Sequence, residues 1–198
     1  ILNEAGFNAA TYHAGMASAD REDNLNRFMA EPDLIMVATI AFGMGIDKPD
    51  IRFVFHTDLP GSPEAYYQEI GRAGRDGEPA VAHMLYGMDD IRMRRMFIEN
   101  EDADEMHRRR GHQRLNSLLS YCESPACRRS TLLAYFGDEM KAEACGNCDL
   151  CLSPREVVEA VETGQKFISA VYRTGQTFGV GHIVNILTGK LSEKIEQL

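Results

Sequence analysis

The sequence predicts an α/β fold with a parallel sheet, followed by a run of helices, on three observations. Short β-rich apolar runs alternate with helical patterns over residues 1–87, the pattern turns helical from residue 88, and a tight cysteine cluster closes the helical stretch. Strands alternating with helices imply βαβ units, because a parallel neighbour is reached only through a crossover. The domains drawn on this pattern are 1–87, 88–153 and 154–198.

In chain order, Ile1-Leu-Asn-Glu-Ala-Gly6 reads as the last turn of a helix ending on glycine. No initiator Met opens the chain and Leu198 closes an uncapped polar stretch, so a segment of a longer polypeptide is expected. Strands are expected at Ala9–Tyr12, Leu34–Ala38, Phe53–Phe55 and Val81–Tyr86. Asp20–Met29 has Leu25 and Phe28 at helical spacing behind an acidic first turn. Ser62-Pro63, an N-cap followed by proline at the first helical position, opens a helix through about Ile70. Ligands of such a sheet meet the carboxyl ends of its strands, which directs attention to the loops after residues 38, 57 and 70.

In the helical stretch, Asp89 is the expected cap of a helix carrying Ile91, Met96 and Phe97. A polar break at residues 99–105 leads to a second helix with Leu115, Leu118 and Leu119 on one side. Ser124-Pro125 starts a third, with Leu132, Leu133 and Phe136 inward and Gly137 ending it. Ser153-Pro154 opens a helix with Val157, Val161, Ile168, Val171 and Tyr172 on one face, and a last helix, about Val180–Leu187, closes at Gly189.

Composition narrows the class. With 198 residues, 44% hydrophobic and 26% charged, the chain is neither disordered nor fibrous. No window approaches a membrane span and no secretory signal opens it, so no membrane partner is expected. The balance of 21 Lys+Arg against 30 Asp+Glu, net −9, speaks against a generic nucleic-acid binder.

The five cysteines are odd in number and clustered, which disfavours a disulfide framework and favours a metal site in a reducing, cytoplasmic setting. Cys145, Cys148 and Cys151 stand three apart, and Cys127 is preferred to Cys122 as the fourth ligand because it falls inside the helix expected from Ser124-Pro125. Four thiolates around Zn²⁺ at about 2.3 Å leave no open position, so the site is structural. Reduced structural thiols or a redox pair are the bland alternative. Four thiolates and one Zn²⁺ add −2, taking the formal charge from −9 to −11.

A second signal is Gln68-Glu69-Ile70-Gly71-Arg72-Ala73-Gly74-Arg75-Asp76-Gly77, two arginines in a glycine-rich loop at a helix end. Guanidinium forks hold phosphate and meet charge developing on a transferred phosphoryl group. Alone, a solvated arginine pair beside a turn would be the better reading. It is accompanied by Val37–Pro49, a small-residue loop after a strand whose Gly43-x-Gly45 lacks the third glycine of a dinucleotide fingerprint. His13, in Tyr12-His13-Ala14-Gly15, reads as a structural residue.

Taken in order, Tyr12-His13-Ala14-Gly15, Ala38-Thr39-x-Ala41-Phe42-Gly43-Met44-Gly45-Ile46-Asp47-Lys48-Pro49 and Tyr66-Tyr67-Gln68-Glu69-x-Gly71-Arg72-Ala73-Gly74-Arg75-Asp76-Gly77 resemble the second motor domain of RecQ-family DNA helicases. Cys127-Arg128-Arg129, Tyr135-Phe136-Gly137 and the cysteine cluster resemble that family's zinc-binding domain. Ala160–Gly189, with Phe178-Gly179-Val180-Gly181, resembles the start of its winged helix. The resemblance spans essentially the whole chain and implies a RecA-like parallel sheet with flanking helices, then a helical zinc domain, then a truncated winged helix.

It also implies an ATP-dependent 3′→5′ DNA helicase in which Arg75 is the arginine finger, Arg72 its neighbour and Gln68 an ordering residue. Asp47 and Gly45 would lie on the nucleotide, Thr39 on the phosphate backbone of the tracking strand, and Cys127, Cys145, Cys148 and Cys151 on zinc. ATP with Mg²⁺ would be shared with the first RecA-like domain of the same polypeptide. The DNA partner would be a single strand and its duplex junction, in a cytoplasmic protein that is nucleoid-associated if bacterial.

No Gly-x4-Gly-Lys-Ser/Thr occurs, and Gly189-Lys190-Leu191 lacks both the earlier glycine and the hydroxyl. Asp104-Glu105-Met106-His107 spells an acidic helicase box but follows the other motifs in a polar stretch, and reads as a solvated helix start. The segment alone is therefore not expected to hydrolyse ATP. The alternatives are a non-catalytic zinc module that binds DNA or a partner on a decayed motor scaffold, against which the intact arginine motif argues, and an RNA helicase, which the zinc pattern disfavours.

The charge then resolves regionally. Between Arg92 and Arg129 lie nine arginines, no lysine and six acidic residues, a net of +3 that leaves −12 for the remainder. Arg108, Arg109, Arg110 and Arg128 are the candidates from this cluster for DNA phosphate, with salt bridges to neighbouring domains as the competing use.

Overall fold

Two crossovers organise the first half of the chain in a computed structural model that describes residues 1–42, 46–142 and 144–190. Strand β1 (Ala9–Tyr12), helix α1 (Ser18–Ala30) and strand β2 (Ile35–Ala38) form one unit, with Ala9 opposite Ile35 in a parallel ladder. Strand β3 (Phe53–His56), helix α2 (Pro63–Ile70) and strand β4 (Val81–Met84) form the second, with Phe53 opposite Val81. The class is α/β, as the alternation requires. Among the described residues the strands make two separate parallel pairs and not one four-stranded sheet. Alternation specifies a parallel neighbour for each strand, but not which pairs adjoin.

The caps explain where the helices fall. Ser62 is the N-cap of α2, its hydroxyl accepting from the Ala65 N–H at 3.2 Å, with Pro63 next in sequence. Helix α3 (Met88–Asn100) begins two residues earlier than an Asp89 cap would put it: Gly87 is the N-cap and its N–H donates to the Asp90 carboxylate at 2.6 Å. Helix α4 (Glu105–Glu123) is capped by Asp104, which accepts from the His107 N–H at 2.7 Å, so the Asp-Glu-Met-His tetrad is a helix start.

Helix α5 (Arg128–Tyr135) corrects one expectation. Ser124-Pro125 does not open it; Ser124 ends α4 and its hydroxyl accepts from Ala126 N–H, which turns the chain and leaves Cys127 as the N-cap of α5. Phe136 is the C-cap and lies half-exposed against Tyr67, not inward. Gly137, at φ 78°, ends the helix in the left-handed region, and Asp138 N–H closes back on Leu133 O at 3.0 Å.

The packing falls into two cores. Ala10, Phe28, Leu34 and Ile46 bury one face of the first βαβ unit, with Leu25, Met36, Phe42 and Ile51 around them. Leu59, Tyr66, Leu115, Leu118, Tyr121 and Leu132 form the other, which joins α2 to α4 and α5 across residue 87. From α3 it is Ile91 and Ile98 that pack against this core, while Met96 and Phe97 face out. The residues from Ile1 to Cys148 accordingly form one compact unit and Asp149 to Leu198 a second.

The second unit contains α6 (Asp149–Leu152), α7 (Val161–Arg173) and α8 (Val180–Leu187), with Ile183 buried. Ser153-Pro154 does not start α7, which begins at Val161 where the Glu159 carboxylate accepts the Val161 N–H at 2.9 Å. A proline after a short helix marks a break as readily as a beginning. Among the described residues no helix is long and apolar enough to cross a membrane.

Candidate functional site

The arginine loop leaves α2 at Gly71 and is tied back by its backbone to the stretch just before β3. Gly74 N–H donates to Ile51 O at 3.0 Å and Asp76 N–H to Pro49 O at 3.3 Å. Gly74 sits at φ 67°, and a Cβ there would stand 3.0 Å from Glu78 O and 3.2 Å from the Ala80 Cβ, so the turn requires glycine on both counts. His56 at the end of β3 grips the last turn of α2 through a 2.7 Å bond between Nε2 and the Glu69 carboxylate.

This frame brings Arg75 and Asp47 together across 28 positions of sequence. Arg75 Nη1 donates to Asp47 Oδ1 at 2.6 Å and to Ile46 O at 3.3 Å. The pair stays accessible, at 38% exposure for the Arg75 side chain and 86% for Asp47. Arg72, three positions earlier, is half-buried and makes no side-chain hydrogen bond or ion pair among the described residues. Gln68 lies exposed on α2, and no bond links it to either arginine there. Gly45 lies outside the described residues. Thr39 stands exposed at the carboxyl end of β2, where its N–H donates to Tyr12 O at 3.2 Å and ties the ends of β1 and β2.

Two cations missed by sequence reading also shape this region. Lys48 is buried, paired with Asp50 at 3.4 Å and 5.5 Å above the Phe28 ring. Arg52 meets the Asp76 carboxylate and donates to Pro79 O at 3.2 Å. That contact, more than any other influence, holds the Asp76 carboxyl below its ordinary range. No local spacing links positions 52 and 76, so only the fold discloses them as partners.

The second candidate site is the cysteine cluster. The sulfurs of Cys127, Cys145, Cys148 and Cys151 all lie within 4.8 Å of one another. Cys127 and Cys148 Sγ are 4.0 Å apart, close to the edge of about 3.8 Å that a zinc tetrahedron with 2.3 Å bonds demands. Backbone N–H groups point at the sulfurs as thiolates require: Cys148 N–H to Cys145 Sγ at 3.3 Å and Arg128 N–H to Cys148 Sγ at 3.4 Å. The donor set therefore fits Zn²⁺, and the cluster is a structural zinc site. Cys122 packs against the core instead, and burial pushes its thiol up to about 11, which keeps it protonated and a poor ligand.

The arginine cluster divides by what each guanidinium touches. Arg128 closes the end of α4, donating to Tyr121 O at 2.8 Å and Cys122 O at 2.9 Å, two carbonyls the helix leaves without partners. Arg94 Nε donates to Leu59 O at 2.5 Å. Arg108 reaches Glu99 O at 3.4 Å, while Arg110 donates to Met106 Sδ, one turn back on the same helix, at 3.4 Å. Arg92, Arg109, Arg114 and Arg129 are exposed.

Known proteins match this arrangement along the chain. Residues 1–77 match the helicase conserved C-terminal domain, residues 88–152 the RecQ zinc-binding domain and residues 154–198 the RQC domain. The chain is 42% identical over 195 residues to the ATP-dependent DNA helicase RecQ of Haemophilus influenzae, covering 98% of this chain and 31% of that protein. It is 36% identical over 187 residues to the ATP-dependent DNA helicase RecQ of Bacillus subtilis, covering 94% and 31%. With the RecQ-like DNA helicase blm-1 of Caenorhabditis elegans it shares 43% over 170 residues, covering 81% and 17%. The chain thus spans about 31% of the length of these bacterial relatives. Three consecutive domain matches, with four sulfurs gathered inside the zinc-binding one, place the chain in the RecQ family of helicases.

Proposed function

We propose that this chain supplies the arginine-finger half of the ATP site, together with DNA contacts and a structural zinc domain, in an ATP-dependent DNA helicase that moves 3′→5′. The observation that carries this is Arg75, tethered by Asp47 and Ile46 O yet left accessible on a loop whose backbone is pinned at both ends. A guanidinium held in that way keeps a donor face for charge developing on a transferred phosphoryl group, and its placement needs no reorganisation at the moment of reaction. Arg72 contributes positive charge beside it. Asp47 and Gly45 bind the nucleotide, and Gln68 orders the arginines when the site closes against the first RecA-like domain of the same polypeptide, with ATP and Mg²⁺ between.

Thr39 contacts the tracking strand from the carboxyl end of β2, and Arg108, Arg109 and Arg110 bind phosphate near the junction of single strand and duplex. Arg128 serves that surface chiefly by fixing the end of α4. The protein acts in the cytoplasm, on the nucleoid if its source is bacterial. The test is Arg75→Ala in a polypeptide carrying both motor domains. DNA-stimulated ATP turnover falls by about 10³–10⁵, the range arginine fingers supply elsewhere, while ATP and DNA still bind. Full turnover in that variant overturns the assignment.

A further inference from the structure

Arg52 stands immediately before β3 and belongs to none of the motifs that mark the chain. Its guanidinium nevertheless makes three contacts: Nε donates to Asp50 O at 3.0 Å, Nη1 to Pro79 O at 3.2 Å, and Nη2 meets the Asp76 carboxylate. The other Asp76 oxygen accepts the Glu78 N–H at 3.1 Å. The carboxylate is thus held on both sides, by Arg52 and by the turn that follows it.

Consecutive residues of the loop are gripped by opposite ends of one short stretch. Arg75 is held by Ile46 and Asp47, and Asp76 by Arg52. The backbone bonds from Gly74 to Ile51 and from Asp76 to Pro49 fix where the loop lies. The turn itself is closed by the Gly77 N–H on Gly74 O at 3.0 Å, but both of its glycines sit at positive φ, where the backbone resists rotation least. A side-chain anchor on Asp76 adds a constraint on the residue between them, next to Arg75.

We propose that Arg52 is a positioning residue for Arg75: its fork, closed on Asp76 and Pro79 O, sets the rotation of the loop and so the direction in which the Arg75 guanidinium leaves the backbone. The inference rests on the reading of Arg75 given above. Arginine suits the task where lysine does not, since a planar fork engages a carboxylate and a carbonyl together while an ammonium is a single point. The Arg52 and Asp76 side chains remain 40% and 28% exposed, so the pair contributes little to global stability and its loss registers in geometry.

The experiment uses zinc-loaded polypeptide carrying both motor domains, with Arg52→Ala, Arg52→Lys, Asp76→Ala, the Arg52→Ala/Asp76→Ala double variant and Arg75→Ala. Arg52→Ala is expected to lower kcat for DNA-stimulated ATP hydrolysis by about 10- to 100-fold, the scale of a misplacement near 1 Å. KM for ATP stays within about twofold, because the lost interaction acts on the transition state. Arg52→Lys recovers part of the rate. The double variant loses less than the sum of the two single losses, because the two side chains share a contact. Hydrogen exchange quickens over residues 74–79 and stays unchanged over β1.

An unchanged kcat in Arg52→Ala, an unchanged exchange rate over the loop, or additive losses in the double variant each overturn the proposal. If Arg52→Ala does not fold, Arg52→Lys and Asp76→Ala carry the same comparison. Arg75→Ala separates the two failures. Full activity there overturns the reading of Arg75, whereas a dead Arg75→Ala beside a fully active Arg52→Ala overturns the role of Arg52.

Discussion

The cysteine cluster and the arginine loop are both built from side chains that turns bring together, but they are finished to different degrees. In the cluster, four sulfurs face one centre and two backbone N–H groups face the sulfurs, so a bound zinc has no vacant direction. In the loop, Arg75 is held by a carboxylate that is itself 86% exposed, which tethers the guanidinium without enclosing it. A closed site orders the chain around it, and an open one presents a group outward. The difference lies in satisfaction of donors and acceptors, since both regions depend on charge.

Removing zinc breaks the comparison most severely. Chelation, or Cys148→Ser, is expected to cost on the order of 10 kcal/mol of folding free energy around the site. Circular dichroism should show loss of helix and hydrogen exchange should quicken over α5 and α6, whereas Cys122→Ser keeps its zinc. Full helicity after chelation contradicts the closed site.

A smaller effect tests what lies beneath both sites. Leu118 is fully buried in the core joining α2 to α4, so Leu118→Ala should cost about 2–5 kcal/mol. A fall in the denaturation midpoint with zinc still bound would show that the core and the metal hold the chain by separate means; an unmoved midpoint contradicts the packing.

The smallest expected effect is a titration. Asp76 is held below its ordinary value of 3.8 first of all by Arg52, so the folded form favours the carboxylate. The sign follows: the contribution is fully present above that value and disappears as pH falls through the lower, folded one. Carboxyl NMR should place the Asp76 midpoint below 3.8, and Arg52→Ala should return it toward 3.8. An unmoved midpoint contradicts the contact.

How far each feature could be read in advance depended on how local its cause is. Ser62-Pro63 announced α2 because a cap hydroxyl and a proline act within one turn, and the strands at Ala9–Tyr12 and Phe53–His56 followed from apolar β-rich runs. The zinc ligands are legible because Cys145, Cys148 and Cys151 recur at a three-residue spacing and one remote cysteine completes four. Helix α5 starts later than Ser124-Pro125 suggests, because those two residues suit a turn as well as a start. Helical spacing points Phe136 inward, yet it sits past the last turn, where that spacing no longer applies.

The sequence by itself determined the α/β class, the helical zinc region, the metal ligands and the loop that carries Arg72 and Arg75, because each is written in residues close together or in a repeating pattern. Tertiary structure decided which strands pair, that the core runs across residue 87, that Arg128 is spent on the end of α4, and that Arg52 grips Asp76. Those outcomes join residues far apart in the chain, and the free energy that selects them exists only once the segments have met.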